Sequence, residues 1–460
     1  MSDTIERPAV RPATRTRIVL HTGKGGVGKT TMSAATALAA ARAGHRTLLL
    51  STDPAHSIGD VLDLEIGSDA APVNGVDGLF AAQVDTRGRF EEAWADIRGY
   101  LVGVLAARGV SELQAEELTV LPGADEIIAL LEVHRRALEG QFDVIVVDCA
   151  PSGESLRLLA LPETIRFYAD RLMGAPARLM RSLAAGFAGL TGGRASSGPS
   201  AAQVSDALTG LLDDLADARA MLADPAVTRI RVVVTPERVV INEARRLLTG
   251  LALHGFAVES VLVNRMLPEI AVGGEFMAAW YAAQQACRPL IEESFGRLPL
   301  RQVRLSAVEP IGLSMLEDVA AQLFDELDPI PEAAPAPSLR TDGSDGRYRL
   351  LIDLPLAERS AVGLSRAGDD LVITIGPLRR RISLPSTLQR CRTVGASFSG
   401  DTLVVEFVPD LDRWPAALSE PLTRRSTSPT DHPWSEGRPA SQSRSGEPRT
   451  GVTADLAGAS

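Results

Sequence analysis

Over the first two thirds of the chain, short runs of branched aliphatic residues alternate with longer stretches of helical periodicity. Arg17–His21, Thr47–Ser51, Asp143–Asp148, Val232–Glu237 and Val261–Asn264 are compact apolar runs with polar ends. That is the pattern of strands covered on both faces. Thr31 to Ala43 is alanine-rich, carries Leu38 and is stopped by Gly44, which predicts a helix. Strand and helix in alternation predict an α/β fold with a mainly parallel, doubly wound sheet. Two long segments, roughly 90–118 and 155–224, read as helical insertions between sheet strands, with Met173, Met180 and Met221 among their leucines. Such flexible thioethers line adaptable apolar grooves and also fill ordinary cores.

The pattern changes after Leu327. Residues 329–346 are rich in Pro, Gly and Ser and read as a linker. Tyr348–Leu354, Leu371–Ile375, Arg380–Leu384 and Leu403–Val408 are short β-type runs separated by turn residues, which predicts a small antiparallel sandwich over 347–408. Residues 409–460 hold too few apolar side chains for a core and read as a disordered tail, as does the polar stretch 1–16. The division is therefore 1–16, an α/β domain at 17–328, linker 329–346, sandwich 347–408 and tail 409–460.

Charge and composition narrow the chemistry. The 460 residues carry a net charge of −11, which disfavours a nucleic-acid partner. Cys149, Cys287 and Cys391 are scattered, so neither a disulfide framework nor a Cys-x-x-Cys metal site is expected. The N-terminus lacks an export signal and no apolar run reaches membrane-spanning length, so the expected location is the cytoplasm, with transient membrane association at most. Of the 47 basic residues only Lys24 and Lys29 are lysine. A bias toward arginine explains most of this, but positions that keep lysine need a slim point charge where a guanidinium fork does not fit.

Both lysines fall in Gly23-Lys24-Gly25-Gly26-Val27-Gly28-Lys29-Thr30, between a predicted strand and a predicted helix. This is a P-loop: glycines let backbone N–H groups converge on phosphate at a helix N-terminus. The expected ligand is ATP with Mg²⁺, bound along Gly23 to Thr31; Lys29 reaches the β- and γ-phosphates and Thr30 the metal. Asp148 closes a buried strand in the manner of a second magnesium-site residue. Asp53 follows another strand at its ligand-facing end, though by position alone the commoner reading is a turn aspartate before Pro54. Asn264, at a strand terminus, has an amide suited to an adenine edge.

The early lysine makes this loop resemble the deviant Walker A motif of the ATPase superfamily that includes MinD/ParA, nitrogenase iron proteins and arsenical-pump ATPases. Asp53-Pro54-Ala55-His56-Ser57 is similar to the switch I signature of the arsenical-pump and tail-anchored-protein-targeting branch. Asp148-Cys149-Ala150-Pro151-Ser152-Gly153 is similar to its switch II. The resemblance, spanning about 17–327, implies a P-loop NTPase acting as a homodimer. It implies that Lys24 reaches the partner's nucleotide, that Asp53 orients the attacking water, and that Asp148 serves Mg²⁺. Pro54, Ala55, His56, Ala150, Pro151 and Gly153 would move with the γ-phosphate. It also implies nucleoside contacts from Glu237 and Asn264, and backbone contact to adenine from Pro310, Ile311 and Gly312. An apolar protein client or a membrane partner is the implied cargo.

Departures are visible. Many relatives have histidine after Gly153, where this chain has Glu154. Met277-Ala278-Ala279-Trp280 stands where eukaryotic targeting ATPases carry a zinc Cys-x-x-Cys, and there is one phosphate loop, not a tandem pair. The sandwich is similar to the alpha-crystallin-like domain appended to some bacterial relatives. The leading expectation is thus a dimeric ATP-hydrolysing switch handling an apolar client. The rivals are the energising subunit of an anion or arsenite efflux system, which the scattered thiols disfavour, and a positioning scaffold with little turnover.

Overall fold

The computed structural model describes residues 16–53, 57–84, 124–149, 201–269, 273–332, 339–344, 346–410 and 412–413. They divide into two compact units, 1–337 and 338–460.

The first unit is built on eight strands: β1 (Arg17–Thr22), β2 (Thr47–Ser51), β3 (Ala71–Pro72), β4 (Leu79–Gln83), β5 (Val144–Asp148), β6 (Thr228–Val234), β7 (Val258–Met266) and β8 (Leu300–Arg304). Their order is β3-β4-β2-β5-β1-β6-β7-β8, parallel except for β3. The helices are α1 (Lys29–Arg42), α2 (Ser57–Leu62), α3 (Ala124–Glu139), α4 (Ala201–Ala223), α5 (Arg238–His254), α6 (Gly274–Phe295) and α7 (Leu313–Phe324). Every residue of β2 and β5 is buried, which is why these strands read as continuous apolar runs; β6 is buried throughout as well. Ala34, Ala37, Leu38 and Ala41 of α1 pack on Val19, Leu49 and Val146, together with Ile58 and Leu316 from α2 and α7. Small alanines let α1 lie close to the sheet, and Gly44, at φ +91°, ends it as the sequence predicts.

Register positions the site. His21 of β1 and Ser51 of β2 are both level with Asp148 of β5, so three strands end together. β1 lies between β5 and β6; the chain runs from β1 to β2 on one side and reaches β6 on the other. The resulting crevice at the carboxyl ends is where ligands of open α/β sheets bind.

The lower part of β6 escaped sequence reading because it carries Arg229 and Arg231. Both are buried, and both bond to Glu259 of β7, at 3.1 and 2.7 Å. Arg231 also donates to the Pro329 carbonyl at 2.5 Å, Arg229 to those of Pro331 and Glu332, and Arg17 to that of Ile330 at 2.8 Å. Three guanidinium groups thus satisfy four consecutive carbonyls of the segment that follows α7.

The second unit contains β9 (Leu339–Ser344), β10 (Arg347–Asp353), β11 (Val362–Ala367), β12 (Asp370–Ile375), β13 (Leu378–Ser383), β14 (Cys391–Ser399) and β15 (Thr402–Pro409), with a short α8 (Ser386–Gln389). They form antiparallel sheets of order β14-β15-β10-β9 and β11-β12-β13. Leu350, Ile352, Leu371, Ile373, Leu403, Val405 and Phe407 form the buried interior expected of a sandwich. β9 lies inside the span read as linker. It has no apolar alternation to announce it and is held by the β10 ladder and by Arg340–Asp353 and Arg349–Asp342 pairs.

Candidate active site

The loop between β1 and α1 has the backbone its glycines allow. Gly26 and Gly28 have φ of +80° and +93°. A Cβ on Gly23 would meet the Val233 carbonyl oxygen at 2.3 Å, and one on Gly28 the Asn264 Nδ2 at 2.4 Å. Above Gly25 and Gly26 the space is open. The loop is therefore braced from below by β6 and β7 and concave toward solvent, at the N-terminus of a fourteen-residue helix.

Thr30 donates its hydroxyl to Asp148 Oδ2 at 2.7 Å, and Ser33 donates to Oδ1 at 3.4 Å. Thr30 Oγ1 also lies 3.2 Å from Ser57 Oγ at the start of α2. Burial pushes the Asp148 carboxyl up to about 6; the charge of Asp53 adds to this, while Thr30, Lys29 and Ser33 oppose it. A buried carboxylate beside two hydroxyls, short of positive charge, is a hard-oxygen donor set that suits Mg²⁺. Lys29 is buried and its Nζ donates to the Lys24 carbonyl at 3.4 Å. The Lys24 ammonium lies 3.6 Å from Glu243 Oε2 on α5. Asp53 follows β2, with its N–H donating to Ser51 Oγ and its carbonyl accepting from Gln83 Nε2 of β4.

Under the loop, His21 is fully buried, with Nε2 3.1 Å from Thr36 Oγ1 of α1. Burial, with Arg231 nearby, holds its pKa well below the usual imidazole value, so the ring is neutral. Beside Asp148, desolvation and that carboxylate push the Cys149 thiol up to about 12, leaving it protonated and a poor soft-metal ligand. Among the described residues no group of three His, Cys, Asp or Glu side chains could hold a metal ion.

The residues expected at the nucleoside fall at three places. Glu237 sits at the N-cap position of α5 and accepts from Thr235 Oγ1 at 3.2 Å. Asn264 ends the continuous buried run of β7, donating Nδ2 to the Val27 carbonyl at 2.9 Å and accepting from the Arg265 N–H at 2.8 Å. Its amide braces the phosphate loop, a role its strand position did not announce. Gly312, at φ +81°, caps α7 and donates its N–H to Val61 of α2; Ile311 beside it is exposed. Pro54, Ala55, His56, Ala150, Pro151 and Gly153 lie outside the described residues, as does most of both predicted helical insertions; of these, 201–223 forms α4. Sequence reading missed Ser33, Gln83 and Glu243, isolated polar residues that only the fold brings to the loop, while Ser57, read as the last residue of the switch I signature, is the hydroxyl beside Thr30.

A P-loop at the switch point of a parallel sheet, with a carboxylate bonded to its threonine, defines the class: a P-loop nucleotide hydrolase. The model of the anion-transporting ATPase family matches residues 16–325, and that of the HSP20-like domain found in ArsA proteins matches 345–407. The chain belongs to the anion-transporting (ArsA) ATPase family, and its activity is ATP hydrolysis. It is 34% identical to a protein of Prosthecochloris vibrioformis provisionally named an arsenical pump-driving ATPase, over 86% of this chain and 96% of that one. To the arsenical pump-driving ATPase of Acidiphilium multivorum it is 32% identical over 68% of this chain and 50% of that one. To the ATPase get3 of Neurospora crassa it is 28% identical over 67% and 90%. Among the described residues no helix is long and apolar enough to cross a membrane.

Proposed function

We propose that this ATPase is a homodimeric, Mg²⁺-dependent switch that couples hydrolysis to the handling or targeting of an apolar client. The observation that carries the reading is the bond from Thr30 to the buried Asp148 at the floor of the loop, with Lys29 bonded to the Lys24 carbonyl within that loop.

Thr30 and Asp148 would hold Mg²⁺, which when bound neutralises charge on the β- and γ-phosphate oxygens. Gly23 to Thr31 wrap the phosphates, and Lys29 leaves the Lys24 carbonyl to pair with them. Asp53 orients a water toward the γ-phosphorus. As the new P–O bond forms, the bond to the β–γ bridging oxygen breaks and its electron pair leaves with ADP; the water's proton ends on the phosphate. Lys24 of each copy would stabilise the charge developing in the other's site. Client handling follows if the two nucleotide states differ in affinity for the client.

Lys24→Arg is the test: nucleotide binding persists while turnover falls at least a hundredfold, about 3 kcal/mol of lost stabilisation. Normal turnover would sink the trans-acting reading. The names of two relatives favour a second reading, an energising subunit of an arsenical pump. Several-fold stimulation of turnover by antimonite would put it first; indifference to antimonite favours the client switch.

A further inference from the structure

The chain's two lysines are both held in place by their own chain. Lys29 Nζ is bonded to the carbonyl of Lys24, and Lys24 Nζ lies 3.6 Å from Glu243 Oε2. Glu243 belongs to α5, the helix that follows β6 and has Glu237 as its N-cap. The ion pair is partly exposed, at 38% and 33% of the two side chains. Such a pair is weak and exchangeable, and lysine is a flexible point charge that can swing between partners where an arginine fork resists it. We infer that Glu243 is a positioning residue that parks Lys24 on its own chain and sets how readily ATP switches the enzyme on.

This rests on the reading that Lys24 works across a pair of chains. The Lys24 ammonium cannot face Glu243 and a second copy's phosphates at once if the two lie in different directions from the loop. A triphosphate carries more negative charge than one carboxylate, so it wins the lysine once two nucleotide-loaded copies meet. Until then the carboxylate competes. A partly exposed pair shifts that competition by about two- to five-fold, enough to set a threshold without blocking turnover.

The scarcity of lysine makes the test direct. Full-length protein labelled at lysine Cε and Nζ gives two side-chain signals, assigned with Lys24→Arg. Without nucleotide, Glu243→Gln should move the Lys24 signal and leave that of Lys29 in place. In turnover measured against enzyme concentration, the same substitution should lower the half-activating concentration about two- to five-fold, with Glu243→Asp between the two. Its melting temperature, taken alongside, separates this from a folding defect, which would raise the half-activating concentration instead. An unmoved Lys24 signal, or a half-activating concentration unchanged or raised, overturns the parking role. If wild-type activity per chain does not depend on concentration, the dimeric reading falls and this role with it. If it does depend on concentration but Glu243→Gln shifts nothing, only the role of Glu243 falls.

Discussion

Asn264 donates its amide to the Val27 carbonyl across 237 residues of sequence, and that same Nδ2 stands 2.4 Å from where a Cβ on Gly28 would be. The phosphate loop is thus held at a distance that only a glycine permits. Gly28→Ala should displace the loop and weaken ATP binding by about a hundredfold or more, through the clash and the strain of φ +93° together. Asn264→Ala, which removes the brace without the clash, should cost about 1–3 kcal/mol of stability by leaving the Val27 carbonyl unsatisfied. Nucleotide titration by calorimetry, with thermal melts of both variants, checks the order of the two effects.

The magnesium role proposed for Asp148 comes at the expense of stability. Its carboxyl, raised to about 6 without metal, binds a proton in the folded chain between about pH 4 and 6 where the unfolded chain has released it. Stability of the metal-free chain therefore falls as pH rises through that window and is flat above it. Asp148→Asn should remove the fall and stabilise the nucleotide-free chain at pH 7.5 by about 1–3 kcal/mol. It should also reduce Mg²⁺-dependent turnover at least about a hundredfold. Melts from pH 4 to 8 in chelator, with and without the substitution, decide it.

His21 works in the other sense. Its pKa is depressed in the folded chain, so below about pH 6.5 the unfolded chain takes up a proton that the folded chain refuses. Stability should fall as pH drops from about 6.5 to 5, by up to about 1.4 kcal/mol per unit from this one group. His21→Gln, which can still reach Thr36, should lower that slope whatever it does to the absolute stability. Equal slopes in denaturant titrations at pH 6.5 and 5 would remove His21 as the cause.

The buried guanidinium of Arg231 makes a separate, testable demand. Arg231→Met leaves the Pro329 carbonyl without its donor and Glu259 with Arg229 alone. The expected cost is about 3 kcal/mol, and adding Glu259→Gln should deepen it, because Arg229 then becomes a buried charge without its carboxylate. Urea denaturation of the single and double variants measures the difference.

Much of this was open to sequence reading, for identifiable reasons. Strands β1, β2 and β5 are covered on both faces and so are written as apolar runs, and the phosphate loop is constrained by backbone conformations that only glycine adopts readily. The Thr30–Asp148 meeting follows from register, since β1, β2 and β5 end level. Hidden features depend on partners distant in sequence. The start of β6 carries two arginines that look exposed until Glu259 and the carbonyls after α7 are in place. β9 looks like linker until β10 supplies its ladder. Glu243 reads as one more acid on a helix surface, and only the packing of α5 brings it to Lys24.

Because the two lysines of the chain both sit in the phosphate loop, all of its ε-amine chemistry is concentrated in that loop. Lys29 is buried and Lys24 is not, so an acylating metabolite or an amine-reactive reagent meets Lys24 first. In most proteins such damage is diluted over many harmless surface amines. Here a single lysine acylation falls on the phosphate loop, and bound ATP would act as its shield.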